Sequence, residues 1–194
     1  DSAEARVCAI ADELDRSGPS EAIDAIREAF EEISREAEGK ATKDPPIPSG
    51  LTAVDRVLQL RRQRMTTLAA SSGIGKTSLA LQIAVGVAER GVGALVFSLE
   101  MPKKQLMRRA TFQRAGVDAS KLARATLTRD EWASLTAAAS SISKSPLWID
   151  DGEEHNPLSM RAATRRVRAM ARARGVELGL VVVDYLQLVE GRLA

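Results

Sequence analysis

Cysteine is nearly absent from this chain of 194 residues: there is one, Cys8, which excludes an internal disulfide and fits a reducing, cytoplasmic compartment. Aromatic residues are as scarce, at 3%, so any core must be aliphatic. The single histidine, His155, has no second histidine or cysteine beside it in sequence, which argues against a zinc-type site. No apolar run approaches the roughly 18 residues of a membrane span, and no signal-peptide pattern opens the chain. Net charge is only +2, too small an excess to point to a nucleic-acid partner. There is no internal repeat and no low-complexity tract. The first residue is Asp1 rather than Met, as in an excised or processed piece.

What is present suits one α/β domain with a small appendage: 44% hydrophobic and 28% charged residues. Ala3, Val7, Ile10 and Leu14 recur at helical spacing, and Gly18-Pro19 ends that pattern. Ser20 is a candidate N-cap for a second helix, whose stripe is Ile23, Ile26, Phe30, Ile33 and Ala37. A seam this narrow suits docking on a partner surface better than building a core. Gly39 to Gly50 contains Pro45, Pro46 and Pro48 and reads as a stiff linker. The expected organisation is therefore a helical segment over 1–38, a linker over 39–50 and one domain over 51–194.

Within that domain, short aliphatic strands alternate with longer helices, the pattern of a mainly parallel sheet flanked by helices. Strands are expected at Met65–Ala70, Ala94–Leu99, Leu147–Asp150 and Leu180–Asp184, and helices near 76–90, 102–115, 129–143 and 157–174. Asn156-Pro157 is a favourable start for the last helix, because proline at the first helical position loses no needed hydrogen bond.

Between the first expected strand and helix lies Ala70-Ser71-Ser72-Gly73-Ile74-Gly75-Lys76-Thr77-Ser78. Phosphate binding needs backbone amides turned toward one point, small residues that admit the anion, and a helix N-terminus behind them. Residues Ser72, Gly73, Ile74, Gly75, Lys76, Thr77 and Ser78 supply such a loop. Lys76 would reach the terminal phosphates of ATP and the Thr77 hydroxyl would hold Mg²⁺. Ala70 replaces the first glycine of the usual pattern, and a plain glycine turn capping a helix is the alternative reading.

In open α/β sheets ligands lie beyond the carboxyl ends of the strands, and three of the expected strands end in acid. Asp184 follows Leu180-Val181-Val182-Val183 and would orient Mg²⁺ through a water; a turn aspartate is the alternative. Glu100 follows Ala94–Leu99. It reads equally as the base that orients an attacking water and as an acid favouring the start of the helix beyond Pro102. Asp150 and Asp151 read as turn residues bordering the site.

Taken together, Ser98-Leu99-Glu100-Met101-Pro102, Leu147-Trp148-Ile149-Asp150-Asp151 and Asp184-Tyr185-Leu186-Gln187-Leu188 resemble, in order and spacing, stretches of the DnaB family of replicative DNA helicases. The alanine that opens the loop is similar to that family as well. The resemblance runs from about Gly50 to Glu190; residues 1–38 resemble the end of the family's N-terminal region and its linker helix. It implies a RecA-like P-loop NTPase fold preceded by a helical linker segment. It also implies ATP and Mg²⁺ as cofactors, single-stranded DNA as substrate, and a homo-hexamer built through the linker helix and ATP interfaces, with a primase and a helicase loader as further partners. Glu100 becomes the expected catalytic base beside Lys76.

Two departures stand out. Leu58-Gln59-Leu60-Arg61-Arg62-Gln63-Arg64 lacks the glycine that the family places before the P-loop strand. The resemblance also implies that the sensor strand, DNA-contacting loops and arginine finger follow the Asp184 strand, so this domain is expected to be incomplete at its C-terminal end. The isolated chain would then bind nucleotide yet hydrolyse it weakly or not at all. The other readings are a RecA-fold ATPase of recombination or clock type without unwinding, and a truncated, non-catalytic interaction module.

Arg161, Arg165, Arg168 and Arg172 form a helical stripe that reads as an ordinary solvated face, with a phosphate-backbone contact as the alternative. Arg61, Arg62 and Arg64 read the same way. Trp132 and Trp148 are expected in packing.

Overall fold

The computed structural model describes residues 21–38, 45–71, 73–152 and 156–184. The expected first helix, Cys8, the Ser20 cap, Ser72, His155 and Tyr185–Leu188 lie outside the described residues. The chain divides into two units, 1–45 and 46–194.

In the first unit, helix α1 (Ala22–Ala37) carries Asp24 in its first turn and Arg35 in its last, each favourable against the helix dipole. Its seam is present and bare: Ile23, Ile26, Phe30 and Ile33 are each roughly 60% exposed.

The second unit opens with Ile47 and Ser49, both buried, so residues 46–50 belong to the domain's packing. The Ile47 amide donates to the Leu60 carbonyl at 2.6 Å, closing a loop around a short helix, α2 (Thr52–Leu58). Then come α3 (Lys76–Glu89), β1 (Gly93–Ser98), α4 (Lys103–Ala115), a single turn α5 (Ser120–Ala123), α6 (Arg129–Lys144), β2 (Leu147–Asp150), α7 (Pro157–Ala173) and β3 (Leu178–Asp184). The three strands are parallel, in the order β2-β1-β3. None of the described helices is long and apolar enough to cross a membrane.

Strand β1 is central and wholly buried, and its side chains serve two cores. Ala94 and Val96 face Leu81, Ala84, Ala88, Leu106, Ala110 and Ile142 from α3, α4 and α6. Leu95 and Phe97 face Ala163 and Val167 of α7. Each large aliphatic side chain so buried contributes about 1.5–3 kcal/mol. Helices α6 and α7 begin in reciprocal capping boxes, Thr128 with Glu131 and Asn156 with Ser159, the latter with Pro157 at the first helical position.

The structure corrects three expectations. Residues 65–70 form no strand, with Met65 88% exposed and Leu68 42% exposed. Among the described residues no neighbouring strand bridges them to β3, and an isolated strand has no partner for its amides. Trp148 packs with the α7 core, but Trp132 projects from the first turn of α6 into solvent. Finally, the segment without its glycine does turn: Gln59 and Gln63 take φ of 38° and 57°, the left-handed region that glycine favours.

Gln63 is exposed, so relieving this backbone strain should cost little packing. Gln63→Gly is expected to raise stability by about 1 kcal/mol in urea titrations; a fall of that size would show the turn to be unstrained.

Candidate functional site

Helix α3 lies on β1 and β3, and only Arg90, Gly91 and Val92 separate its end from the start of β1. It must therefore run antiparallel to the strand. At about 1.5 Å per helical residue and 3.3 Å per strand residue, both elements are about 20 Å long. The N-terminus of α3 consequently lies level with the carboxyl edge of the sheet, where Ser98 and Asp184 end their strands.

Gly75 precedes α3 with φ 104° and Gly73 lies two residues before it with φ 80°, conformations that side chains rarely adopt. The first turn of α3 contains no acid and its N-cap makes no side-chain hydrogen bond. The other long helices of this unit differ. A capping box serves α6 and another serves α7, while the Lys103 amide that opens α4 donates to Asp151 Oδ2 at 2.9 Å. Among the described residues, α3 alone of these four starts without a side-chain acceptor, although its amides form the positive end of a helix dipole. Lys76 is folded over the same loop: its ammonium donates to the carbonyls of Ala70 at 2.6 Å and Ser71 at 3.0 Å. The lysine thus holds the carbonyls that lead into the glycine turn. Thr77 and Ser78 are half-buried at the helix start, Ile74 is exposed, and the Ser78 carbonyl accepts from Gln113 of α4 at 3.3 Å.

The acids occupy the neighbouring strand ends. Asp184 pairs in register with Ser98, and its carbonyl accepts from the Leu99 amide at 2.9 Å. Buried Ser98 donates its hydroxyl to the Met101 carbonyl at 2.6 Å, tightening the turn that carries exposed Glu100 at its tip. Asp151 fixes the far end of this connection, through the Lys103 amide and through its ammonium at 3.2 Å. The Lys103 amide, the larger influence, and its ammonium hold the Asp151 carboxyl below the ordinary carboxylate range against an opposing push from burial.

Sequence reasoning placed Asp151 at the border of the site and missed what it does there, which is to start α4. It missed Ser98 as well. The only sequence signal was an acid just past a strand end and a proline, unable to donate, before the helix.

A doubly wound parallel sheet with a glycine loop opening a helix at its carboxyl edge defines a RecA-like P-loop ATPase fold. Comparison with known proteins agrees. The family model "DnaB-like helicase C terminal domain" matches residues 46–194, and the chain belongs to that family. It is 35% identical over 193 residues to the replicative DNA helicase DnaB of Nostoc sp., covering 98% of this chain and 21% of that protein. It is 35% identical over 147 residues to the DnaB of Geobacillus stearothermophilus, covering 75% of this chain and 31% of that one. The chain therefore spans a fifth to a third of the length of these relatives. Among solved structures, one described as an ATPase domain superposes with a TM-score of 0.71 at 29% identity, covering 91% of this chain and 61% of that one. A DnaB-like replicative helicase, whose interactions with primase were also determined, superposes at 0.75 and 29% identity, covering 94% and 43%.

Replacing Asp151 by Ala should cost about 1 kcal/mol, the usual loss when a helix start loses its acceptor. Because the folded carboxyl titrates low, its contribution is present above the ordinary value of 3.8 and is lost as pH falls through the lower folded value. Urea titrations of both proteins across acid pH should therefore converge; a constant gap would assign the loss to packing.

Proposed function

We propose that this chain is the nucleotide-binding part of an ATP-driven replicative helicase motor, and that ATP sits with its phosphates on the Ser72–Ser78 loop. The observation that carries the reading is the uncapped start of α3, turned toward the same sheet edge as Glu100 and Asp184. Membership of the DnaB-like family favours this over a recombination or clock ATPase.

In this reading the amides of residues 73–78 bind the β- and γ-phosphates, and Lys76 leaves the Ala70 and Ser71 carbonyls to reach them. Thr77 and Asp184 offer hard oxygen donors that suit Mg²⁺, Asp184 through a water. Bound there, Mg²⁺ would offset charge on the phosphates. Glu100, exposed on its short turn, orients the attacking water and accepts its proton. Its freedom from any ion pair among the described residues leaves the carboxylate available for that role.

The whole protein's work then follows the family: hydrolysis coupled to movement along single-stranded DNA and duplex unwinding in the cytoplasm. It would act as a hexamer in which the bare seam of α1 docks on a neighbouring copy. A helical segment over 1–38 joined by a linker to the ATPase domain would serve that assembly. Primase, which the DnaB-like relative engages, is a proposed partner here too, and so is a loader.

A fluorescent ATP analogue titrated with Mg²⁺ tests the site. Lys76→Ala should weaken binding by more than tenfold while Glu100→Gln leaves it within about twofold. In the full-length parent, Glu100→Gln should abolish turnover. Unchanged affinity in the lysine variant would end the P-loop reading, and normal turnover in the glutamate variant would end the assignment of the base.

A further inference from the structure

Helix α7 covers the face of the sheet opposite α3, with Ala163, Val167 and Ala171 buried beneath it. At 100° per residue, Arg161, Arg165, Arg168 and Arg172 fall within a sector about 60° wide, more than a right angle from that buried row. All four are exposed, and none makes an ion pair among the described residues. The helix carries a fifth arginine, Arg166, and no acid, in a chain whose net charge is only +2. Helix α4 carries as many basic residues and likewise no acid, but Lys103 and Arg114 at its two ends are tied into ion pairs with Asp151 and Glu89.

We infer that the outer face of α7 binds the phosphodiester backbone of a nucleic acid, at a surface separate from the nucleotide loop. The stripe is about 16 Å long at 1.5 Å per residue, the length of about five phosphates along one strand. Guanidinium groups fork onto phosphate oxygens and are lightly hydrated, so four in a row suit that backbone better than four ammonium groups would. On one side the stripe is flanked by Ala162, Ala169 and Ala173, small residues that let a strand approach closely. The large apolar side chain on the stripe's line, Leu158, is 73% exposed and sits at its N-terminal end rather than its centre. A protein partner would need such an anchor at the centre of its interface, whereas a phosphate chain does not.

The test uses the 194-residue chain and fluorescence anisotropy with a labelled oligothymidylate, a labelled duplex and a labelled polyglutamate. Changing all four arginines to Gln should weaken oligonucleotide binding at least tenfold at low salt. It should also lower the slope of log affinity against log salt by about 3 on the single strand. The corresponding Lys variant should retain most of the binding, and affinity for the ATP analogue should stay unchanged, separating this surface from the α3 site. Hydrogen exchange of the unaltered chain should show α7 protected on adding oligonucleotide, a reading independent of how the variant folds. An unchanged salt slope with α7 unprotected would overturn the inference, as would preference for polyglutamate over both nucleic acids.

Discussion

Parallel pairing is the constraint from which the site follows. Strand β1 hydrogen-bonds to β2 on one side and β3 on the other, all three pointing one way. A chain that pairs in parallel must return across a face of the sheet before each new strand. Helices α3, α4, α6 and α7 make those returns, and the buried Ala94–Phe97 stretch holds them to both faces. The carboxyl ends of the strands therefore share one edge, and so do the starts of the helices. Three acids and a set of positive helix ends are brought together by topology, before any side chain makes a specific contact.

The two edges of the sheet have been put to different uses. At the amino edge, Glu89 near the end of α3 accepts from Arg114 of α4 at 2.9 Å and from Ser141 of α6 at 2.6 Å. Burial, the largest influence, pushes this carboxyl up, yet the Ser141 hydroxyl and the Arg114 guanidinium together outweigh it and leave it lowered. An acid at a helix C-terminus opposes the dipole, so Glu89 is tolerable only with these partners. In return it ties the ends of three helices. The carboxyl edge is held more lightly, by the Ser98 and Asp151 bonds around the Glu100 turn.

Most of this architecture was legible in the sequence, and the exceptions share a cause. The helices over 76–89, 103–115, 129–144 and 157–173 lie within a residue or so of their expected spans, because apolar periodicity and caps such as Asn156-Pro157 are local signals. Strand ends at Asp150 and Asp184 were equally plain. Residues 65–70 carried the same aliphatic signal, but a strand is completed by its neighbour, and no local pattern reveals whether one is there. Trp132 misled for a related reason: its size argued for burial, while its place in the first turn of α6 faces it outward. The absent glycine near residue 60 argued against a turn there, yet Gln59 and Gln63 take up the left-handed backbone in its place. In the candidate site the loop and both acids were readable, whereas Asp151 and Ser98 act through backbone groups that no side-chain pattern encodes.

Capping explains why one helix start among four is chemically available. A helix N-terminus carries about half a unit of positive charge and several unmet amides, so leaving it bare is costly unless water or an anion attends it. Thr128, Asn156 and Asp151 meet that demand for α6, α7 and α4. Gly75 meets none of it for α3, and a serine or aspartate there would fill the space with its own oxygen. Glycine thus does two things at this position: it permits the φ of 104°, and it withholds the side chain that would otherwise satisfy the first amides of the helix. Lys76 completes the arrangement by bonding to the Ala70 and Ser71 carbonyls, which keeps a positive charge beside those amides without blocking them. An anion that arrives there would gain hydrogen bonds from amides that no described side chain caps.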